Sequence, residues 1–250
     1  MKMVLTTITL LLAAAPAQAS GPLSAKNIVI VHGAFADGSG WQGVYRILTK
    51  DGFKVTIVQN PLVSLAADVK ATQDVLAEQN GPVVLVGHSY GGAVITEAGN
   101  DPKIKSLVYV AAYVPDTGES VGDLLAKADP AATPPPILID PVKGNALIDR
   151  AKFPEAFAAD IDRKTAEFLA ASQAPLGLAA VSAKMTTAAW KNKPSFYIVS
   201  TQDRMIPPTD EMKMAMKAKA IQTFKIKASH AVYISHPGQV AKVIERAASE

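Results

Sequence analysis

The chain of 250 residues is long enough to bury a full core and suits one α/β domain or two small ones. Its 25 Lys and Arg against 22 Asp and Glu leave a net charge of +3, too diffuse for a nucleic-acid surface; the densest basic patch, Lys213, Lys217, Lys219, Lys225 and Lys227, reads as a solvated helix face and the strand after it. The absence of cysteine excludes a thiol nucleophile, disulfides and thiolate metal sites, and His32, His88, His230 and His236 show no metal-binding spacing, so neither a metal nor a cofactor is expected.

The N-terminus carries Lys2, an apolar stretch over residues 4–15, and Pro16-Ala17-Gln18-Ala19, with small residues at both positions of an A-x-A cleavage site. Residues 1–19 are therefore expected to be a secretory signal peptide, since the apolar core is shorter than the roughly 20 residues of a membrane span. Residues 20–250 would then be the mature domain, periplasmic or secreted in a bacterium, with no stable membrane insertion.

Residues 27–31 are a continuous β-branched run of the kind buried on both faces of a parallel sheet, ending in His32-Gly33-Ala34-Phe35. Val44, Ile47 and Leu48 fall at helical intervals before Asp51-Gly52, and residues 53–58 form the next strand. A helix over residues 65–79 ends at Asn80-Gly81-Pro82. A third apolar run then leads into Gly87-His88-Ser89-Tyr90-Gly91, followed by a small-residue helix over 92–98 and a strand over 104–112. This alternation predicts a mostly parallel, doubly wound α/β sheet with helices on both faces.

The rhythm breaks between about residues 117 and 190, where Thr133-Pro134-Pro135-Pro136 and Asp140-Pro141 preclude regular helix. Residues 153–172 read as one helix with Phe157, Ile161, Phe168 and Leu169 apolar, and the whole segment is expected to be an inserted cap. The sheet resumes at residues 194–200, followed by a helix over 210–220, a strand over 223–227 and a closing helix over 239–248. Met212 and Met216 are expected to be core contacts.

A strand that turns directly into a helix with one side chain on the turn leaves no room for Cβ atoms two positions either side, which Gly87 and Gly91 supply around Ser89. In a parallel sheet the reactive side chains sit just past the carboxyl ends of the strands. Ser89, Asp203 and His230 all fall there, in that chain order. A serine hydroxyl needs a base to take its proton and a third group to hold that base, roles that suit His230 and an acid. Asp203 is the preferred acid; Asp116, in Tyr113-Val114-Pro115-Asp116, also follows a strand and is the alternative.

That order and those strand ends resemble the α/β-hydrolase superfamily over essentially the whole mature chain, and within it the small esterases related to plant methylesterases and hydroxynitrile lyases. Residues 32–35 resemble its oxyanion loop, residues 87–92 its nucleophile turn, residues 200–208 its acid loop and residues 229–237 its histidine loop. The resemblance implies oxyanion donors at the backbone N–H groups of Ala34 and Tyr90. Of the other histidines, His32 reads as structural beside its glycine, His88 is expected to point away from the nucleophile it flanks, and His236, just before Pro237, to be exposed at a helix start.

The expected activity is hydrolysis of carboxylic esters through a Ser-His-Asp triad and an acyl-enzyme. Hydroxynitrile lyases of this branch carry lysine directly after the histidine, where Ala231 stands here. A non-catalytic or slow small-molecule binder is the alternative from another class. The expected partner is an uncharged or weakly polar small-molecule ester with a small or medium acyl group, in an apolar cleft drawn from Phe35, Tyr90, Phe153, Phe157, Trp190 and Tyr233.

Overall fold

The computed structural model describes residues 25–250, and the expected signal peptide lies outside them. In chain order the strands are β1 (Asn27–Val31), β2 (Lys54–Val58), β3 (Val83–His88), β4 (Ile104–Val110), β5 (Ile137–Asp140), β6 (Asn145–Ile148), β7 (Leu176–Gly177), β8 (Ser195–Ser200) and β9 (Gln222–Ile226). Six of them form one sheet in the order β2-β1-β3-β4-β8-β9, every neighbouring pair parallel. All residues of the inner strands β1 and β3 are buried, which is why they read as unbroken apolar runs rather than alternating ones. The edge strands β2 and β9 expose Lys54, Gln222 and Lys225.

The helices are α1 (Gln42–Lys50), α2 (Leu65–Ala77), α3 (Gly91–Ala98), α4 (Val121–Ala126), α5 (Phe153–Phe157), α6 (Arg163–Ala171), α7 (Leu178–Ser182), α8 (Pro208–Lys217), α9 (Val232–Ser235) and α10 (Pro237–Ser249). α1 packs with α10, and α2 with α3. Neighbouring residues of β3 show that two layers are built this way. Gly87 faces α3 at Gly91 and Ile95, and the next side chain, His88, faces Trp41 and Tyr233 beside α1 and α9. Successive side chains of a strand point to opposite faces. The sheet is therefore doubly wound, as the alternation of elements predicts.

The segment between β4 and β8 departs from its sequence reading in two ways. Beyond the prolines it contains a small antiparallel sheet, β5-β6-β7, whose hairpin pairs Ile137 with Ile148 and turns through Gly144 at a φ of +66°. Prolines at 134–136 stop a helix without forbidding an edge strand directly after them. The single helix expected over 153–172 is two: α5 ends at Phe157, and Asp162 starts α6 by accepting the Thr165 N–H. Phe168 is consequently exposed. In α8 the buried methionine is Met214, while Met212 is half-buried against the core and Met216 is 65% exposed.

Candidate active site

Because all six main strands are parallel, the segments after β1, β3, β8 and β9 emerge at one edge of the sheet. The turn after β3 carries Ser89 at a φ of +51°. A left-handed backbone costs a non-glycine residue roughly 1–2 kcal/mol, so something must impose it. The Ser89 N–H donates to Val110 O, and Ser89 O accepts from Gly92 N and Tyr113 N, which pins the turn to the end of β4 and the start of α3. The flanking glycines allow the approach: a Cβ on Gly87 would stand 2.6 Å from Gly91 O, and one on Gly91 would stand 2.5 Å from Val31 O.

The loop after β8 brings Asp203 to the histidine. Its Oδ1 accepts from the N–H groups of Met205 and Ile206 at 2.6 and 2.9 Å, and its Oδ2 meets His230 Nδ1 at 2.6 Å. Both residues are buried. A carboxylate only accepts, so Nδ1 carries the proton and Nε2 presents its lone pair. Asp116 lies elsewhere, in a salt bridge with Lys191 and accepting the Thr117 N–H. These contacts hold its carboxyl below the usual range against the opposing effect of desolvation.

The remaining histidines have other partners. His32 Nδ1 donates to Gly33 O at 2.9 Å and Nε2 accepts the Asn60 N–H at 2.9 Å, a fixed neutral tautomer whose pKa burial lowers. His88 Nε2 donates to His230 O at 3.0 Å, and its ring lies 4.6 Å from those of His230 and Tyr233. Complete burial, followed by the neighbouring His230, lowers its pKa well below the ordinary histidine value. His236, expected to be exposed, is half-buried at the start of α10, with Nδ1 2.9 Å from Ser235 Oγ.

Ser89 opens into a cavity of about 190 Å³ whose walls include Phe35, Tyr113, Val121, Leu125, Met205 and Ile206, with Ala34 and Tyr90 also lining it. Among the described residues, the backbone N–H groups of Ala34 and Tyr90 donate to no protein acceptor. Both belong to residues lining this cavity, and Tyr90 directly precedes α3, whose N-terminal dipole favours negative charge. Of the six aromatic residues expected around the cleft, Phe35 and Tyr90 line it. Phe153, Phe157 and Tyr233 instead pack in the core, the last two against His88, and Trp190 donates its indole N–H to Pro115 O. A second cavity of about 390 Å³ shares Tyr113, Leu125, Met205 and Ile206 as walls with the first.

Three supports escape sequence reasoning because they depend on distant residues. The Phe157 carbonyl accepts the Ala231 N–H and shares the single Ser229 hydroxyl proton with Asp160, so the segment between β4 and β8 holds the histidine loop. The Tyr90 hydroxyl donates to the buried Asp68 of α2 at 2.7 Å, and the other oxygen of Asp68 accepts the Leu62 N–H. Glu211 of α8 is buried beneath the acid loop. The only local signal for the first was Ser229 beside His230. Among the described residues no group of three or more His, Asp or Glu side chains is placed to hold a metal ion.

Several known proteins are similar to this chain in sequence or in structure. The alpha/beta hydrolase nvfD of Aspergillus novofumigatus is 27% identical over 245 residues, 89% of this chain and 96% of that protein. A carbendazim hydrolyzing esterase of a Nocardioides species is 40% identical over 118 residues, 42% of this chain and 49% of its own. The crystal structure of a pyrethroid hydrolase from Sphingobium faniae superposes with a TM-score of 0.76 at 20% identity, covering 90% of this chain and 98% of that one. Polyneuridine aldehyde esterase superposes with a TM-score of 0.74 at 20% identity, covering 88% and 98%. At that identity the superpositions speak for the fold alone. The model of the alpha/beta hydrolase family matches residues 28–243, from β1 into α10, and the chain belongs to that family.

Proposed function

We propose that the protein is a serine esterase that cleaves carboxylic esters at Ser89. The observation that carries this reading is the buried 2.6 Å contact between His230 Nδ1 and Asp203 Oδ2 at the edge that also bears the strained serine. His230 Nε2 takes the proton of Ser89 Oγ as that oxygen attacks the ester carbonyl carbon, and Asp203 stabilises the imidazolium. The carbonyl oxygen becomes an oxyanion, for which the N–H groups of Ala34 and Tyr90 are the donors. Collapse breaks the bond to the alkoxide, which leaves with the proton of His230. Water, deprotonated by the same nitrogen, then attacks the acyl-enzyme and releases the acid. Relatives named as esterases support ester hydrolysis, the coarser part of this reading, among them the carbendazim hydrolyzing esterase and methylesterases of Arabidopsis thaliana.

The cavity suggests the substrate class. An apolar void of about 150 Å³ accommodates benzene, so about 190 Å³ with an apolar wall suits a short or branched uncharged acyl group. The alcohol part would extend past Met205 and Ile206 into the larger cavity. Residues 1–19 are proposed as a signal peptide directing the enzyme to the periplasm or the medium, which N-terminal sequencing of the exported protein tests.

The function is tested with purified protein and p-nitrophenyl esters of increasing acyl length. Turnover is expected to be greatest for short acyl groups, and Ser89→Ala is expected to lose both turnover and labelling by a fluorophosphonate. Labelling that survives in S89A, or hydrolysis confined to amides or lactones, overturns the reading.

A further inference from the structure

The mechanism above makes no use of the carboxyl that α8 buries beneath the acid loop. Glu211 is fully shielded from solvent. Its Oε2 accepts the Ser200 N–H at 3.2 Å, whereas no donor reaches Oε1 and, among the described residues, no cation pairs with it. Ser200, whose N–H it holds, also accepts the Asp203 N–H through its carbonyl at 3.1 Å, and this brings the Asp203 carboxyl within hydrogen-bonding reach of Glu211. The phenols of Tyr113 and Tyr197 are the other titratable groups facing Glu211, with Asp210 beside them on α8; the Tyr197 hydroxyl is already committed to Ala112 O.

Two carboxylates in contact, without a counter-cation, cannot both be ionised. Which of them holds the proton follows from the donors around each. Asp203 accepts from Met205 N, Ile206 N and His230 Nδ1, three donors that favour its ionised form, against one for Glu211. Desolvation and then the charge of Asp203 push the Glu211 carboxyl well above the ordinary carboxylate range.

We infer that Glu211 is a neutral carboxylic acid under the conditions of ester cleavage and donates its O–H to the Asp203 carboxylate, which makes it a positioning residue for the Asp203–His230 pair. This rests on the reading of Asp203 as the acid of the triad. A carboxylate offers about four acceptor positions, and the two loop amides, His230 and Glu211 occupy all of them. Asp203 then has no spare lone pair toward which to rotate, and His230 keeps a single orientation.

Two variants and one spectrum test this. Glu211→Gln keeps a neutral donor of the same length; Glu211→Leu keeps the bulk and removes the donor. In E211Q no charge is removed, so the acid limb of the kcat/KM profile is expected to stay within about 0.2 pH units of wild type. In E211L kcat is expected to fall about tenfold with KM little changed, and E211Q to restore most of that loss. A limb displaced to lower pH by about half a unit or more in E211Q would show an ionised Glu211 and overturn the inference, as would an E211L enzyme with wild-type kcat.

Should E211L fail to fold, the infrared difference spectrum of wild type minus E211Q at neutral pH reads the proton directly. A carboxylic-acid C=O stretch assigned to Glu211 is expected, and its absence overturns the inference. That band needs no turnover, so it is separable from failure of the reading of Asp203 as the triad acid, which would appear as full activity in Asp203→Asn.

Discussion

His230 and Asp203 form a buried pair, Nδ1 to Oδ2 at 2.6 Å, and the two backbone amides on Asp203 Oδ1 fix the carboxylate that sets the tautomer of the imidazole. Asp116, the other acid at the same end of the sheet, is spent on Lys191. Asp203→Asn should therefore lower kcat by about 10⁴-fold, because an amide facing Nδ1 favours the tautomer that puts the proton on Nε2. Asp116→Asn removes a surface ion pair and should change kcat by less than about threefold. Steady-state kinetics on one short ester compares the two; a larger loss in D116N would reassign the acid.

The strain at Ser89 gives a second prediction, on stability. Its φ of +51° is imposed by the hydrogen bonds that tie the turn to β4 and α3. Alanine at this position keeps the strain, whereas glycine relieves it at some expense in unfolded-chain entropy. Both Ser89→Ala and Ser89→Gly should be inactive, with S89G the more stable by about 1 kcal/mol. Urea denaturation monitored by tryptophan fluorescence measures the difference, and equal midpoints would mean that the backbone relaxes in S89A.

These two sites also show what the sequence makes legible. Gly87, Ser89 and Gly91 can be read together because the steric demand they meet is local, a strand turning at once into a helix. Asp203 and His230 could be placed at strand ends because parallel strands announce themselves as unbroken apolar runs such as residues 27–31 and 82–86. The inserted segment was less readable. Its proline run signals only a broken helix, yet β5 begins directly after Pro136 and pairs with β6. The end of α5 at Phe157 leaves a carbonyl free to hold Ser229 and Ala231, a contact between residues some seventy positions apart. Glu211 and Asp68 carry no local signature at all. Each is an ordinary helical carboxylate in sequence, and only burial gives it a role.

Acid should weaken the attachment of the segment after β4 through Glu119. Its Oε2 accepts from Lys217 at 2.8 Å and the Asp116 N–H at 2.9 Å, and its Oε1 from Lys127 at 2.9 Å. Burial alone would raise its pKa, but the hydrogen bonds from Lys217, Asp116 and Lys127 outweigh burial and hold it at about 2. A carboxyl depressed in the folded state binds fewer protons there than in the unfolded chain. Its stabilising contribution is thus present above the ordinary value of 4.5 and is lost as pH falls from there toward about 2. Glu119→Gln should cost on the order of 2 kcal/mol at pH 7, with the gap from wild type closing through that acid window. Chemical denaturation at pH 7, 4 and 3 tests the sign: a gap that grows on acidification would refute it.

Leu125 stands between the serine cavity and the larger one, contributing to the walls of both. If the acyl group is confined to about 190 Å³, the limit on its length is set at this partition, not at Ser89. Leu125→Ala removes three carbons from the partition without touching the Asp203–His230 pair. A pocket methylene is worth about 1–3 kcal/mol in discrimination, so the ratio of kcat/KM for a long-chain ester over a short one should rise about tenfold in L125A. The rise should come mainly from the long ester, since the short one already fits. A fluorophosphonate with a short chain should label wild type and L125A at similar rates, which separates a wider cavity from a disturbed nucleophile. If the ester ratio stays at its wild-type value while labelling is intact, the acyl group does not approach Leu125, and the size limit must lie on the β5-β6 side of the cavity, at Ile137 and Ala146.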